Sequence, residues 1–281
     1  MTSLVLGANG FIGSAVVRQL ASINDNRLFG LVRANFPKIP VRGVQYLHGD
    51  VTDYSRMLRV MAGVETVICC VSFVGKDEGR CIEVNDRGMR TVARAVSDSS
   101  VERFVYVSTA AVYGTGPFRD LPVGGAPLNP QSAASRTRAA GEEYVRQVGG
   151  LVVRPHMVYG PGDKWFVPGL VDTIDRLGCV IDGGSALLST IHVDNLAHSI
   201  ANLAVERPFR HDTTVHVNDH VPSQVADILS GISARSGWSL PSVSFSRQAA
   251  LQRAQQIGLD RRRFDLISLD HWFRNTIAPG K

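Results

Sequence analysis

Between residues 7 and 13 the chain reads Gly7-Ala8-Asn9-Gly10-Phe11-Ile12-Gly13, three glycines at G-x-x-G-x-x-G spacing. A turn of this composition bends tightly, lets backbone approach a pyrophosphate, and aims the first amides of the following helix at negative charge. Asn9, Phe11 and Ile12 belong to the same expected phosphate-binding turn. About 20 residues beyond Gly13, where an acidic residue would hold a ribose 2′-hydroxyl, the chain has Leu31-Val32-Arg33. A guanidinium at Arg33 suits a 2′-phosphate, with Arg18 as a helper, and favours NADP over NAD as cofactor; the alternative is a solvated charge at a strand end. In His48-Gly49-Asp50-Val51-Thr52-Asp53, Asp50 and Val51 fall where a carboxylate would meet the adenine amine.

Such a turn needs a strand before it and a helix after it, and the hydrophobic pattern supplies both. Apolar runs predict strands over 2–6, 28–32, 44–47, 65–71 and 104–108. Helical spacing predicts helices over 12–20, 54–61 and 85–96. Strand and helix in this alternation argue an α/β fold with a parallel sheet covered on both faces. Beyond Glu142 the rhythm loosens. Residues 151–154 and 214–217 still read as strands, while 160–191 and 218–281 carry the prolines, glycines and extra helices of a second lobe. The expected division is therefore 1–159 plus 192–217 for the sheet domain and 160–191 plus 218–281 for a smaller, discontinuous substrate lobe fed by two excursions.

Composition excludes several classes. The chain has 281 residues, 44% of them hydrophobic, and a formal net charge of +5, enough apolar mass for a large core. Its basic residues are scattered apart from Arg261-Arg262-Arg263, so no nucleic acid is expected and an anionic small molecule accounts for the excess. Cys69, Cys70, Cys81 and Cys179 show no metal spacing, so no metal is expected and the thiols read as reduced and structural. No apolar run approaches the ~20 residues of a membrane span. The start lacks the basic region of a signal peptide, so the protein is expected in the cytoplasm.

The order and spacing of further motifs carry a resemblance. They are Glu83-Val-Asn85-Asp-Arg-Gly88, Phe104-Val-Tyr-Val-Ser-Thr-Ala-Ala-Val-Tyr-Gly114, Val152-Val-Arg-Pro-His-Met-Val-Tyr-Gly-Pro-Gly-Asp163 and Ile191-His-Val-Asp-Asn-Leu-Ala197. With the glycine turn, they make the chain similar to the extended short-chain dehydrogenase/reductase superfamily of NAD(P)-dependent epimerases and dehydratases. The resemblance covers most of the chain. It implies a Rossmann-type doubly wound sheet, a C-terminal substrate lobe and a homodimer built on two helices per subunit. It also assigns Asn85 a supporting place in the cofactor region, Asn195 one at the lobe junction, and His192 a mainly structural one.

In that family a Ser/Thr binds the substrate oxygen, a tyrosine moves the proton, and a lysine holds the nicotinamide ribose and lowers the tyrosine pKa. Thr109 matches the first. Anchoring the next segment on Pro130-Gln-Ser132 and Ala140-Gly-Glu142 puts the tyrosine position on Ala134 and the lysine position on Arg138. Arg138 keeps a charge for the ribose but is a poor proton donor or acceptor. Ala110-Ala111 replaces the acidic pair of the dehydratases, and Met157 stands where an asparagine contacts a substrate diphosphate. Candidates for the missing acid are His156, whose ordinary pKa suits proton transfer, Tyr113, more often a packing residue, and His192, for which the structural role at the domain junction is the stronger reading. Lys76, Asp77 and Glu78 either rim the pocket or form a solvated cluster, and Trp165 and Phe166 either close the pocket or pack the lobe. The reading is an oxidoreductase or epimerase-like enzyme acting on a polar small molecule, a nucleotide sugar among the options, with an altered proton relay. The alternative is a dinucleotide-binding partner or regulatory protein without turnover.

Overall fold

The computed structural model describes residues 1–23, 27–37, 39–206 and 208–277. Seven strands form the main sheet: β1 (Ser3–Leu6), β2 (Leu28–Val32), β3 (Val44–His48), β4 (Thr66–Cys69), β5 (Arg103–Val107), β6 (Leu151–Arg154) and β7 (Thr214–His216). They pair in the order β3-β2-β1-β4-β5-β6-β7, every pair parallel. Strands β1, β4, β5 and β6 are buried along their whole length, because helices cover both faces and leave no solvated side for polar residues. The order reverses between β1 and β4, and a crevice opens at such a switch point.

Several helices begin where the sequence supplies a cap. Helix α1 (Phe11–Ile23) follows the glycine turn and buries Ala15, Val16, Val17 and Leu20. Asp53 caps α2 (Tyr54–Met61) by accepting from the Arg56 amide. Asp77 does the same for a continuous helical run over 78–97 (α3), whose middle stretch Ile82–Arg87 is a π segment. The spacing placed that helix seven residues later, at 85; the cap at Asp77 starts it earlier. Helix α4 (Ala133–Gln147) opens on a capping box between Ser132 and Ser135.

One apolar cluster lies on each face of the sheet, the first under α1 and the helix Val193–Val205, the second under α2, α3 and α4. A third belongs to the smaller lobe and gathers Phe166, Leu170, Ile174, Leu229 and Phe264. The lobe's four-stranded sheet runs Ser223–Gln224, Leu187–Leu188, His271–Phe273, Phe118–Leu121. Its last strand comes from the connection after β5, so the lobe draws on three excursions rather than two. Residues 118–121, expected in the sheet domain, pair instead with 271–273. Residues 278–281 of the expected lobe lie outside the described residues. No helix among the described residues is long and apolar enough to cross a membrane.

Candidate functional site

Two cavities open where the main-sheet strands end. The first, of about 380 Å³, is lined by Gly7, Asn9 and Gly10 after β1, by Arg33 after β2, by Asp50 and Val51 after β3, and by Cys70 to Phe73 after β4. Backbone makes most of it. Gly7 has φ +79°, and a Cβ on Gly13 would stand 2.1 Å from the Gly7 carbonyl oxygen, so only glycine lets the helix pack this close. The Gly10 amide donates to the Gly7 carbonyl, and Ser14 makes the first helical bond, back to Gly10. The amides of Phe11, Ile12 and Gly13 therefore precede any intrahelical acceptor, at the positive end of α1.

The side chains around it act mostly on the loops. Asn9 donates to the Asn35 carbonyl at 3.2 Å and ties the turn to the segment after β2. Asp50 accepts from both the amide and the hydroxyl of Thr52. Asn85 is buried off the cavity and braces Phe73 twice, accepting from its amide at 2.7 Å and donating to its carbonyl at 2.9 Å. Arg33 is exposed on the cavity wall. Arg18 does not join it; its guanidinium faces Asp194 at 3.3 Å, because the outer face of α1 lies against the helix that follows His192.

The second cavity, of about 400 Å³, lies between the sheet and the small lobe, with Phe11, the residue after Gly10, on its wall. Thr109, Ala134, Arg138 and His156 all line it. Ala134 and Arg138 share one face of α4, four residues apart. Thr109 follows β5 and accepts from the Ala111 amide at 3.2 Å. One terminal nitrogen of Arg138 donates to the carbonyls of Val107, at 3.2 Å, and Ser108, so the strand end fixes the guanidinium while its buried Nε has no partner. Tyr106, beside it on β5, is fully buried off the cavity, and burial pushes its phenol pKa up.

His156 reaches the cavity wall with both ring nitrogens shut off from solvent and without a partner. Its ring stacks on His271 and leans on Phe273. Burial, then the neighbouring His271 and His216, hold its pKa well below the ordinary value. At neutral pH it is therefore a neutral imidazole, which differs from the near-neutral ionisation its residue type alone predicts. Tyr113 is placed elsewhere. It lies buried away from the cavity, donating to Nε2 of His216 at 3.1 Å and accepting from Arg154 at 2.8 Å. Arg154 in turn pairs with the fully buried Glu142, a carboxylate that also takes a 2.5 Å bond from Ser108. These contacts make Tyr113 part of the junction between sheet and lobe.

Other expected groups serve the scaffold. Asp77 is a helix cap and Glu78 pairs with Arg136 at 2.8 Å. His192 caps the helix Val193–Val205. Arg261, Arg262 and Arg263 each face an acid, Asp265, Asp260 and Asp172 respectively. Trp165 and Phe166 do line the cavity, together with Arg263 and Leu266 from the last helix. The spacing gave no sign of His271 and His216, which stand far along the chain from His156; the lobe sheet brings His271 to it, and β7 of the main sheet carries His216.

A sequence profile of the NAD dependent epimerase/dehydratase family matches residues 3–218. The chain belongs to that family. It is 30% identical to a 2-alkyl-3-oxoalkanoate reductase of Stenotrophomonas maltophilia over 72% of this chain and 65% of that protein. It is also 30% identical to a 4-hydroxy-2-methyl-3-oxo-4-farnesyl-3,4-dihydroquinoline-1-oxide ketoreductase of Stigmatella aurantiaca, over 74% and 65%. The chain thus matches 65% of the length of each of these two curated relatives. Among solved structures, the dTDP-glucose 4,6-dehydratase DesIV of Streptomyces venezuelae, with NAD and TYD bound, superposes with a TM-score of 0.73 at 23% identity, over 96% of this chain and 88% of that one. That likeness carries the Rossmann-type fold.

Proposed function

We propose that the chain binds a nicotinamide dinucleotide across the two cavities and interconverts a carbonyl and an alcohol on a small molecule, without a tyrosine acid. The observation that carries this reading is the meeting of Thr109, Ala134, Arg138 and His156 on one cavity wall, with the glycine turn lining the other cavity at the same end of the sheet. Gly7, Gly10 and Gly13 with the first amides of α1 would hold the pyrophosphate, Asp50 and Val51 the adenine, and Arg138 the nicotinamide ribose. The orphan Nε of Arg138 and the uncapped amides are donors that fit such a ligand. When bound, the dinucleotide supplies or takes the hydride. Thr109 keeps its hydroxyl proton free to donate to the substrate oxygen, while His156, a neutral imidazole whose ring nitrogens are shut off from solvent, holds one N–H and one lone pair behind the same wall. Two curated relatives carry the names of reductases, which supports carbonyl reduction over epimerisation.

Arg33 on the first cavity supports NADP over NAD. Calorimetry should give tighter binding of NADPH than of NADH, and Arg33→Ala should narrow the gap by about tenfold, as loss of a charge-assisted pair does. Equal affinity in the parent protein would overturn that assignment, and failure to bind either nucleotide would overturn the function. The reading carries with it a cytoplasmic setting for the free thiols and a homodimer through the outer faces of α3 and α4, which meet where Tyr144 donates to Asp86 at 3.0 Å.

A further inference from the structure

We infer that the second cavity takes a substrate with one oxygen-bearing end and an aliphatic chain along the rest. The inference rests on the reading of Thr109 as partner of the substrate oxygen, and it adds the class of molecule attached to that oxygen. The two ends of the cavity differ in what they leave unpaired. At the inner end, the ring nitrogens of His156 and Nε of Arg138 are buried without partners, and the Thr109 hydroxyl has a proton to give. A polar atom belongs there, because buried donors and acceptors left alone are costly.

At the outer end the polar side chains are already engaged within the protein. Asp163 accepts three amides, those of Trp165, Phe166 and Val167, at 2.8 to 2.9 Å. Thr173 donates back to the Gly169 carbonyl at 2.7 Å, and Arg263 faces Asp172 at 2.6 Å. What remains facing the space is apolar: Met157, Phe166 and Leu170 on one wall, Leu266 and Ile267 on the other, with Trp165 59% exposed at the mouth. A diphosphate or a ring of hydroxyls would find only the remaining Arg263 nitrogens as new partners there and would lose hydrogen bonds overall. An alkyl chain loses nothing and gains the burial.

Calorimetric titration of the full chain with a ladder of alkan-2-ols of increasing length, in the absence of nucleotide and again with saturating NADPH, tests this. Affinity should rise about fourfold per added methylene until the mouth is reached. Leu266→Asn, checked for an unchanged affinity for NADPH, should flatten the upper rungs while leaving the shortest alcohols unaffected; Leu170→Ser provides an independent repeat. A flat ladder in protein that binds and oxidises NADPH overturns the aliphatic reading alone, as does UDP-glucose binding more tightly than the longest alcohol. A rising ladder in protein that shows no affinity for NADPH supports the cavity and overturns the function proposed above.

Discussion

The two cavities at the end of the sheet are built from different materials. The first is a backbone cradle whose shape is set by Gly7, held at a positive φ, and Gly13, where any side chain would collide with the Gly7 carbonyl. The second is shaped by side chains, Thr109, Ala134, Arg138 and His156 among them, and Ala134 stands where the proposed alignment puts a phenol. A backbone site is guarded by the fold itself, since changing it costs stability. A side-chain site is free to change, because losing a solvent-facing phenol leaves no buried group unpaired.

If this contrast holds, the largest effect belongs to the cradle. Gly13→Ala should destabilise the protein by about 4 kcal/mol, because the clash is with backbone that cannot turn aside, and should abolish nucleotide binding in whatever folds. Denaturant unfolding checks it; a variant of parental stability would show that the helix can retreat and that the cradle is not rigid.

The second cavity should announce itself in acid. His156 lines it, His271 stacks on His156 and His216 stands against Phe273 farther in, and burial lowers all three pKa values, that of His216 from an ordinary 6.5 to about 4. The unfolded chain then binds protons that the folded one refuses. Stability is unaffected above pH 6.5, falls as pH drops toward 4, and levels off below, by roughly 3 kcal/mol for His216 alone. Unfolding free energies measured across this range should show the fall, and His216→Asn should reduce it. A parental profile flat between pH 7 and 5 would contradict the buried-imidazole account.

Thr109→Ala comes next. Removing a well-aimed hydrogen bond to the developing oxyanion should slow turnover by ~10²-fold, with affinity for NADPH within a factor of about three, since the cradle does not use that hydroxyl. A parallel loss of nucleotide affinity would merge the two cavities into one cooperative site and remove the contrast.

Legibility in the sequence follows the same division. The glycine turn, the alternation of strands and helices and the places of Thr109, Ala134 and Arg138 could be read because each depends on local spacing. The early start of α3 was hidden in a single cap, Asp77. The third excursion was hidden because residues 118–121 pair with a strand some 150 positions later, and no local pattern names that partner. The ordinary pKa of His156 was a poor guide for the same reason. Its environment is made by His271 and Phe273, which only the lobe sheet brings to it. Tyr113 looked like a candidate acid until Arg154 and His216 were seen to engage its hydroxyl.

The central claim is that this protein pairs a dinucleotide cradle with a cavity whose wall has Ala134 in place of a tyrosine acid. Ala134→Tyr combined with Arg138→Lys restores a phenol at the wall with an ammonium to lower its pKa. Rates of NADPH-dependent carbonyl reduction and affinities for NADPH, measured side by side in parent and double variant, test the claim directly. The account predicts a gain of ~10²-fold or more in rate with affinity changed by no more than about threefold. A double variant that folds and binds NADPH yet reduces no carbonyl compound faster than the parent would contradict it.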